Sequence, residues 1–178
     1  KKYGAIPIVD STFATPISCQ PLNFGFEAVI HSVTKLLNGH SDILGGTVAG
    51  SKEIIDQIWY KLRNFGGSMD PHQASLLERG IKTLHVRYEA STKTAGELAS
   101  WLESHPKIEK VLYPGLKSHD DYELCKEIMD APSTMVCVEI KKNAKGPSFG
   151  DINASLLDEW AFLTRVPLHM AAFSSSVL

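Results

Sequence analysis

The chain has 178 residues, enough for one domain or two small ones with a real apolar core, and its net charge of −2 gives no electrostatic case for a nucleic-acid or anionic-membrane partner. No apolar run approaches the roughly 20 residues that span a bilayer, and the N-terminus lacks the apolar core of a signal peptide. Three scattered cysteines, Cys19, Cys125 and Cys137, match no metal spacing and read as reduced thiols, so a soluble, cytoplasmic protein is expected. The chain opens without Met, directly before a strand-like run, which suggests a piece of something longer.

Ala5-Ile6-Pro7-Ile8-Val9 is short, apolar and β-branched, and its hydrophobicity stops abruptly at Asp10-Ser11-Thr12. This predicts a strand feeding a polar loop at its carboxyl end, the edge where ligands bind in open α/β sheets. A loop from Thr15 to Leu22 and a short amphipathic segment to Gly25 lead to a second apolar run, Ala28-Val29-Ile30, that ends in Ser32. Two strands so spaced read as neighbours in a mostly parallel sheet, with Asp10 and Lys35 at one edge.

Gly45 to Gly50 is small and extended. Ser51 is suited to cap a helix from Lys52 to about Asn64, with Ile54, Ile55, Ile58, Trp59 and Leu62 on one face. Asp70-Pro71 opens another helix that runs to Gly80, and helical periodicity continues from Ile81 to Ser104 through Leu84, Arg87, Tyr88, Ala95 and Leu98. A strand and turn over 107–115, a helix from Asp120 to Met129 and a strand from Thr134 to Ile140 give the second half an α+β character. A further helix is expected from Asn153 to Trp160.

The chemistry concentrates in His31-Ser32-Val33-Thr34-Lys35, followed by Asn38-Gly39-His40-Ser41-Asp42. Three readings of Lys35 are open: an amine that forms a Schiff base with a carbonyl cofactor, the lysine of a Ser-x-x-Lys acyl-transfer site, or a solvated lysine in a turn. The acyl-transfer reading also needs Ser-Asp-Asn and Lys-Thr-Gly elements, and Ser41-Asp42-Ile43 and Lys93-Thr94-Ala95 each fail at the third residue. A carbonyl cofactor such as pyridoxal phosphate needs a carboxylate facing its pyridine nitrogen and hydroxyl donors for its phosphate. Asp10 offers the first, and Ser32 and Thr34 the second; singly, each also reads as an ordinary turn or cap residue. The histidines are dispersed without ligand spacing, so no metal is expected.

Val9 to Pro16, His31 to Lys35 with Asn38 to Asp42, Arg79-Gly80-Ile81-Lys82-Thr83-Leu84, and Val111 to Leu116 with Ser118-His119 together resemble the Cys/Met-metabolism family of pyridoxal-phosphate enzymes. Ser11 stands where the family pattern carries Asn. The resemblance implies an α/β, type I aminotransferase-like fold, with residues 1–87 the C-terminal part of the large cofactor domain and 88–178 an incomplete small domain. It implies pyridoxal 5′-phosphate as cofactor, Lys35 as the Schiff-base lysine, Asp10 at the pyridine nitrogen, Ser32 and Thr34 at the phosphate and Thr12 beside the ring. It further implies transsulfuration on a small amino-acid substrate, cystathionine γ-lyase-like, with cystathionine γ-synthase or methionine γ-lyase activity as the alternative and a homotetramer built from dimers. A non-catalytic fragment or degenerate paralogue is the reading from another class. Thr164-Arg165-Val166-Pro167 does not match the family's substrate-carboxylate segment, and Arg165 receives no role.

Overall fold

The computed structural model describes residues 3–142, which cluster into two compact units. The first runs to Tyr88 and takes in Ile128–Ala131; the second holds Glu89–Glu127 and the described residues from Pro132 onward. The helix expected over 153–160 and the segment around Arg165 lie outside the described residues.

In the first unit the apolar runs form β1 (Ile8–Asp10) and β2 (Ala28–Ser32), and the small extended stretch forms β3 (Gly46–Gly50), in the order β1-β2-β3. β1 and β2 are parallel, with Ile8 opposite Ala28 and Asp10 opposite Ile30, as the strand spacing predicts. β3 departs from the mostly parallel sheet expected: it pairs antiparallel with β2, Ser32 facing Gly46. Residues 33–45 join the two and fold back on themselves, the Val33 N–H donating to the Gly45 carbonyl at 3.1 Å, so the chain re-enters beside the end of β2 that it left and runs antiparallel.

The segment between β1 and β2, expected as loop up to Leu22, contains the short helix α1 (Thr15–Ser18) and a 3₁₀ turn over Pro21–Phe24. Pro16 and Pro21 stand in the first turns of these pieces, where a preset φ helps and a missing N–H costs nothing. Gly25 closes the 3₁₀ turn at φ +85°, a left-handed cap that glycine adopts without Cβ repulsion.

Ser51 caps α2 (Lys52–Phe65), its Oγ accepting from the Ile54 N–H at 3.4 Å. On the apolar face of α2 no residue is fully buried: Ile54, Ile55 and Leu62 are half-buried, and Trp59 is 56% exposed. The apolar core of the unit instead gathers Ala28, Val29, Val33, Leu36, Leu37, Ile43, Leu84 and Tyr88.

The periodicity read as beginning at Ile81 is interrupted. α3 (Pro71–Ile81) ends, the chain turns at Lys82 and Thr83, and α4 (Leu84–Glu103) follows. Gly80 does not terminate α3; it is a contact point, since a Cβ there would lie 2.6 Å from the Asn38 carbonyl oxygen. In the second unit, Ala95, Ala99 and Leu102 of α4 pack with Ile108, Val111, Tyr113 and Leu116. β4 (Ile108–Leu112) pairs antiparallel with β5 (Cys137–Ile140), which is shorter than expected, and α5 (Tyr122–Ile128) lies between them in sequence. Buried Tyr113 donates its hydroxyl to the Thr92 carbonyl at 3.3 Å, which removes the cost of an unpaired phenol in this core. Among the described residues no helix is long and apolar enough to cross a membrane.

Asp70 Oδ1 accepts from the His72 and Gln73 N–H groups at 2.9 and 3.2 Å and so satisfies two orphan donors of α3. Asp70→Ala is expected to cost about 1 kcal/mol in urea unfolding, with Asp70→Asn recovering most of it.

Candidate active site

Parallel pairing brings the carboxyl ends of β1 and β2 to the same level, and the ladder continues past β1 where the Ser11 N–H donates to the Ile30 carbonyl at 2.9 Å. The Thr12 N–H then folds back onto Asp10 Oδ1 at 2.9 Å, an Asx-type turn. Thr12 is buried, and its hydroxyl oxygen accepts from the Ser32 N–H at 2.8 Å. The same hydroxyl hydrogen-bonds the Asp10 carboxylate. One threonine therefore links the carboxylate to the start of the Lys35 turn. Its two bonds, with a smaller contribution from His31, hold exposed Asp10 below the usual carboxylate range.

After Ser32 the chain enters a π-type turn, Val33–Leu37, in which the Asn38 N–H donates to the Val33 carbonyl five residues back at 3.3 Å. Val33, Leu36 and Leu37 are buried and anchor the turn, while Lys35 is exposed with non-helical backbone angles, φ −93° and ψ −127°. Among the described residues, Lys35 Nζ has neither a hydrogen-bond nor an ion-pair partner. Thr34 Oγ1 accepts from the Gly45 N–H at 3.1 Å, which leaves its own proton free to donate. The structure thus joins Asp10, Thr12 and Ser32 by hydrogen bonds and carries Thr34 and Lys35 on the turn immediately after them.

Sequence reasoning passed over several residues that shape this place. His31 is 5% exposed, its Nδ1 has no partner, and burial pushes its pKa below the ordinary histidine value against the opposing effects of the Ser11 carbonyl and Asp10. Asn38 is buried and donates to Asp42 Oδ1 at 2.7 Å, closing the loop that follows the turn. Arg87 donates from Nη1 to the Leu36 carbonyl at 2.9 Å and from Nη2 to the Leu37 carbonyl at 3.2 Å. The available signal was its place on the stripe with Leu84 and Tyr88: a cation on a core-facing stripe needs buried acceptors.

A carboxylate held ionised, an unpartnered amine and hydroxyl donors at adjacent strand ends of an α/β sheet form the donor set of a cofactor-dependent enzyme. The family model of the Cys/Met metabolism PLP-dependent enzymes matches residues 1–158, and the chain belongs to that family. It is 43% identical over 143 residues to the cystathionine beta-lyase of Coxiella burnetii, covering 79% of this chain and 37% of that protein. It is 46% identical over 127 residues to the cystathionine gamma-lyase of Bacillus subtilis, covering 71% of this chain and 34% of that one. In three dimensions it is similar to the cystathionine gamma synthase of Xanthomonas oryzae pv. oryzae, solved in complex with aminoacrylate and cysteine, with a TM-score of 0.77 and 34% identity over 79% of this chain and 36% of that one. The chain spans about a third of the length of these relatives. The matches bear out the α/β fold class and the family's cofactor, pyridoxal phosphate. The residues present fit that group: Asp10 has the charge a protonated pyridine nitrogen needs, Thr34 retains a proton for a phosphate oxygen, and Lys35 has an uncommitted amine.

The lowered His31 pKa has a stability consequence. The unfolded chain protonates His31 near pH 6.5 while the folded chain resists, so stability falls as the pH drops through about 6.5 toward the folded-state value and is unaffected above it. Urea unfolding across that window is expected to show the slope, and His31→Gln to flatten it; an unchanged slope would assign the effect to another group.

Proposed function

We propose that the full-length protein is a pyridoxal-phosphate-dependent transsulfuration enzyme acting at the C–S bond or γ-substituent of a sulfur amino acid or homoserine derivative, with cystathionine γ-lyase-type chemistry as the leading reading. The observation that carries it is the Ser32 N–H to Thr12 Oγ1 bond at 2.8 Å, together with the Thr12 contacts to Asp10. These put a charged carboxylate and the Lys35 turn at neighbouring strand ends. Similarity to lyases and a synthase that act on sulfur amino acids supports the substrate class.

Bound pyridoxal phosphate supplies an electron sink for negative charge developing on a substrate carbon. Asp10 would pair with the pyridine nitrogen and keep its proton in place, because a carboxylate held below its usual range opposes loss of that proton. Thr12, beside the ring, acts through Asp10, since its hydroxyl is committed to that carboxylate and to Ser32. Ser32 and Thr34 donate hydroxyl protons to the phosphate and orient the cofactor. Lys35 would hold it through Nζ, and the same amine would accept and return protons at the substrate carbons. The unit ending near residue 87 closes the large cofactor domain, and residues 88–178 belong to the small domain. The assembly in this reading is a cytoplasmic tetramer built from dimers. The similarity to a cystathionine gamma synthase favours γ-synthase activity as the second reading.

The purified full-length protein is expected to develop a visible absorbance band with pyridoxal phosphate that Lys35→Ala abolishes, and borohydride reduction should add the cofactor's mass to the Lys35 peptide. No band in either protein would overturn the assignment and favour a non-catalytic remnant. Asp10→Asn is expected to keep the band and lower kcat about 10²- to 10³-fold, as for loss of a preorganised charge. Release of 2-oxobutyrate from cystathionine, against consumption of cysteine with an activated homoserine ester, separates lyase from synthase.

A further inference from the structure

Arg87 is bonded to three separate stretches of the first unit. Its Nη1 donates to the Leu36 carbonyl at 2.9 Å and its Nη2 to the carbonyls of Leu37 at 3.2 Å and Gly80 at 2.8 Å, while Nε donates to Thr83 Oγ1 at 3.1 Å. Among the described residues it has no acidic partner. A half-buried guanidinium that spends its donors on backbone carbonyls is solving a geometric problem, because those carbonyls belong to the end of a turn with no further helix to satisfy them.

Two glycines clear the space it occupies. Gly39 has φ +73°, and a Cβ there would sit 2.0 Å from Arg87 Nη1; Gly80 presses on Asn38 with no room for a Cβ. The carbonyls that Arg87 grips are those of the two residues directly after Lys35. Buried Leu36 and Leu37 side chains fix how deeply the turn is seated. Apolar contacts are non-directional, so the rotation of the peptide planes around Lys35 is left to hydrogen bonds: the Gly39 N–H holds the Lys35 carbonyl at 2.8 Å, and the next two carbonyls fall to Arg87. A planar fork across two successive carbonyls determines that rotation, which a point charge on a flexible stem does not.

We infer that Arg87 is a positioning residue for Lys35: by holding the Leu36 and Leu37 carbonyls and tying them to Gly80, it orients the backbone that presents the Lys35 amine at the end of β2. The inference rests on the role proposed for Lys35 above. Arg87 itself touches neither cofactor nor substrate.

The test uses Arg87→Lys, which keeps charge and stem but loses the fork, and Arg87→Ala, both in the full-length protein. Amide hydrogen exchange on the cofactor-free protein is expected to accelerate at least about tenfold at Leu36 to Gly39 in both variants, while the α3 and α4 amides keep their protection. In the loaded protein, Arg87→Lys should lower kcat about 10²-fold with KM unchanged, as a misplacement of the reacting group near 1 Å does. Wild-type exchange over 36–39, wild-type kcat in Arg87→Lys, or acceleration spread equally over α3 and α4 would each overturn the inference, the last by showing a purely structural role. Exchange needs no cofactor, so a protein that fails to bind pyridoxal phosphate sinks the proposed function while the hold of Arg87 on the turn is still decided.

Discussion

The Ser32 N–H to Thr12 Oγ1 bond is the contact on which the rest of this site depends. β1 and β2 are parallel, so no hairpin joins their carboxyl ends, and the residues between them travel through α1 and a 3₁₀ turn before β2 begins. What keeps the two ends in step is the ladder up to the Ser11 N–H and then this single side chain. Because Thr12 is 6% exposed, removing its hydroxyl would leave the Ser32 N–H without its acceptor, a loss of about 1–3 kcal/mol, and would leave Asp10 held by the Thr12 N–H alone. One hydroxyl thus contributes to both register and electrostatics.

The Lys35 turn meets a different constraint. It must expose an amine while its flanks are buried, and it does so with a π-type turn whose apolar residues, Val33, Leu36 and Leu37, face inward around an exposed Lys35. Turns of this kind leave backbone groups without helical partners, and here Thr34, Gly45, Asn38 and Arg87 take them up. Their density explains why Gly39 and Gly80 have no room for a Cβ: the side chains and carbonyls that order the turn occupy that volume.

Relatives named cystathionine beta-lyase, cystathionine gamma-synthase and cystathionine gamma-lyase match this chain at comparable identity, 43%, 41% and 46%, so the matched region does not by itself distinguish among them.

Local features were legible in the sequence. β1 and β2 followed from β-branched apolar runs that stop at polar residues, the Ser51 cap from a hydroxyl just before helical periodicity, and the start of α3 from Pro71. The family resemblance carried by four motifs identified the cofactor, and the joint placement of Asp10 and Lys35 followed from strand spacing. These depend on interactions within a few residues, or on parallel pairing of successive strands, and such information is written along the chain. The antiparallel β3, the partial burial of the apolar face of α2, the commitment of Thr12 to Asp10 and Ser32, the unpartnered Nδ1 of His31 and the grip of Arg87 on Leu36 and Leu37 were decided only by tertiary structure. Each depends on where a group some 20 to 50 residues away comes to rest, or on which neighbour covers a face, and no local period or spacing records that distance.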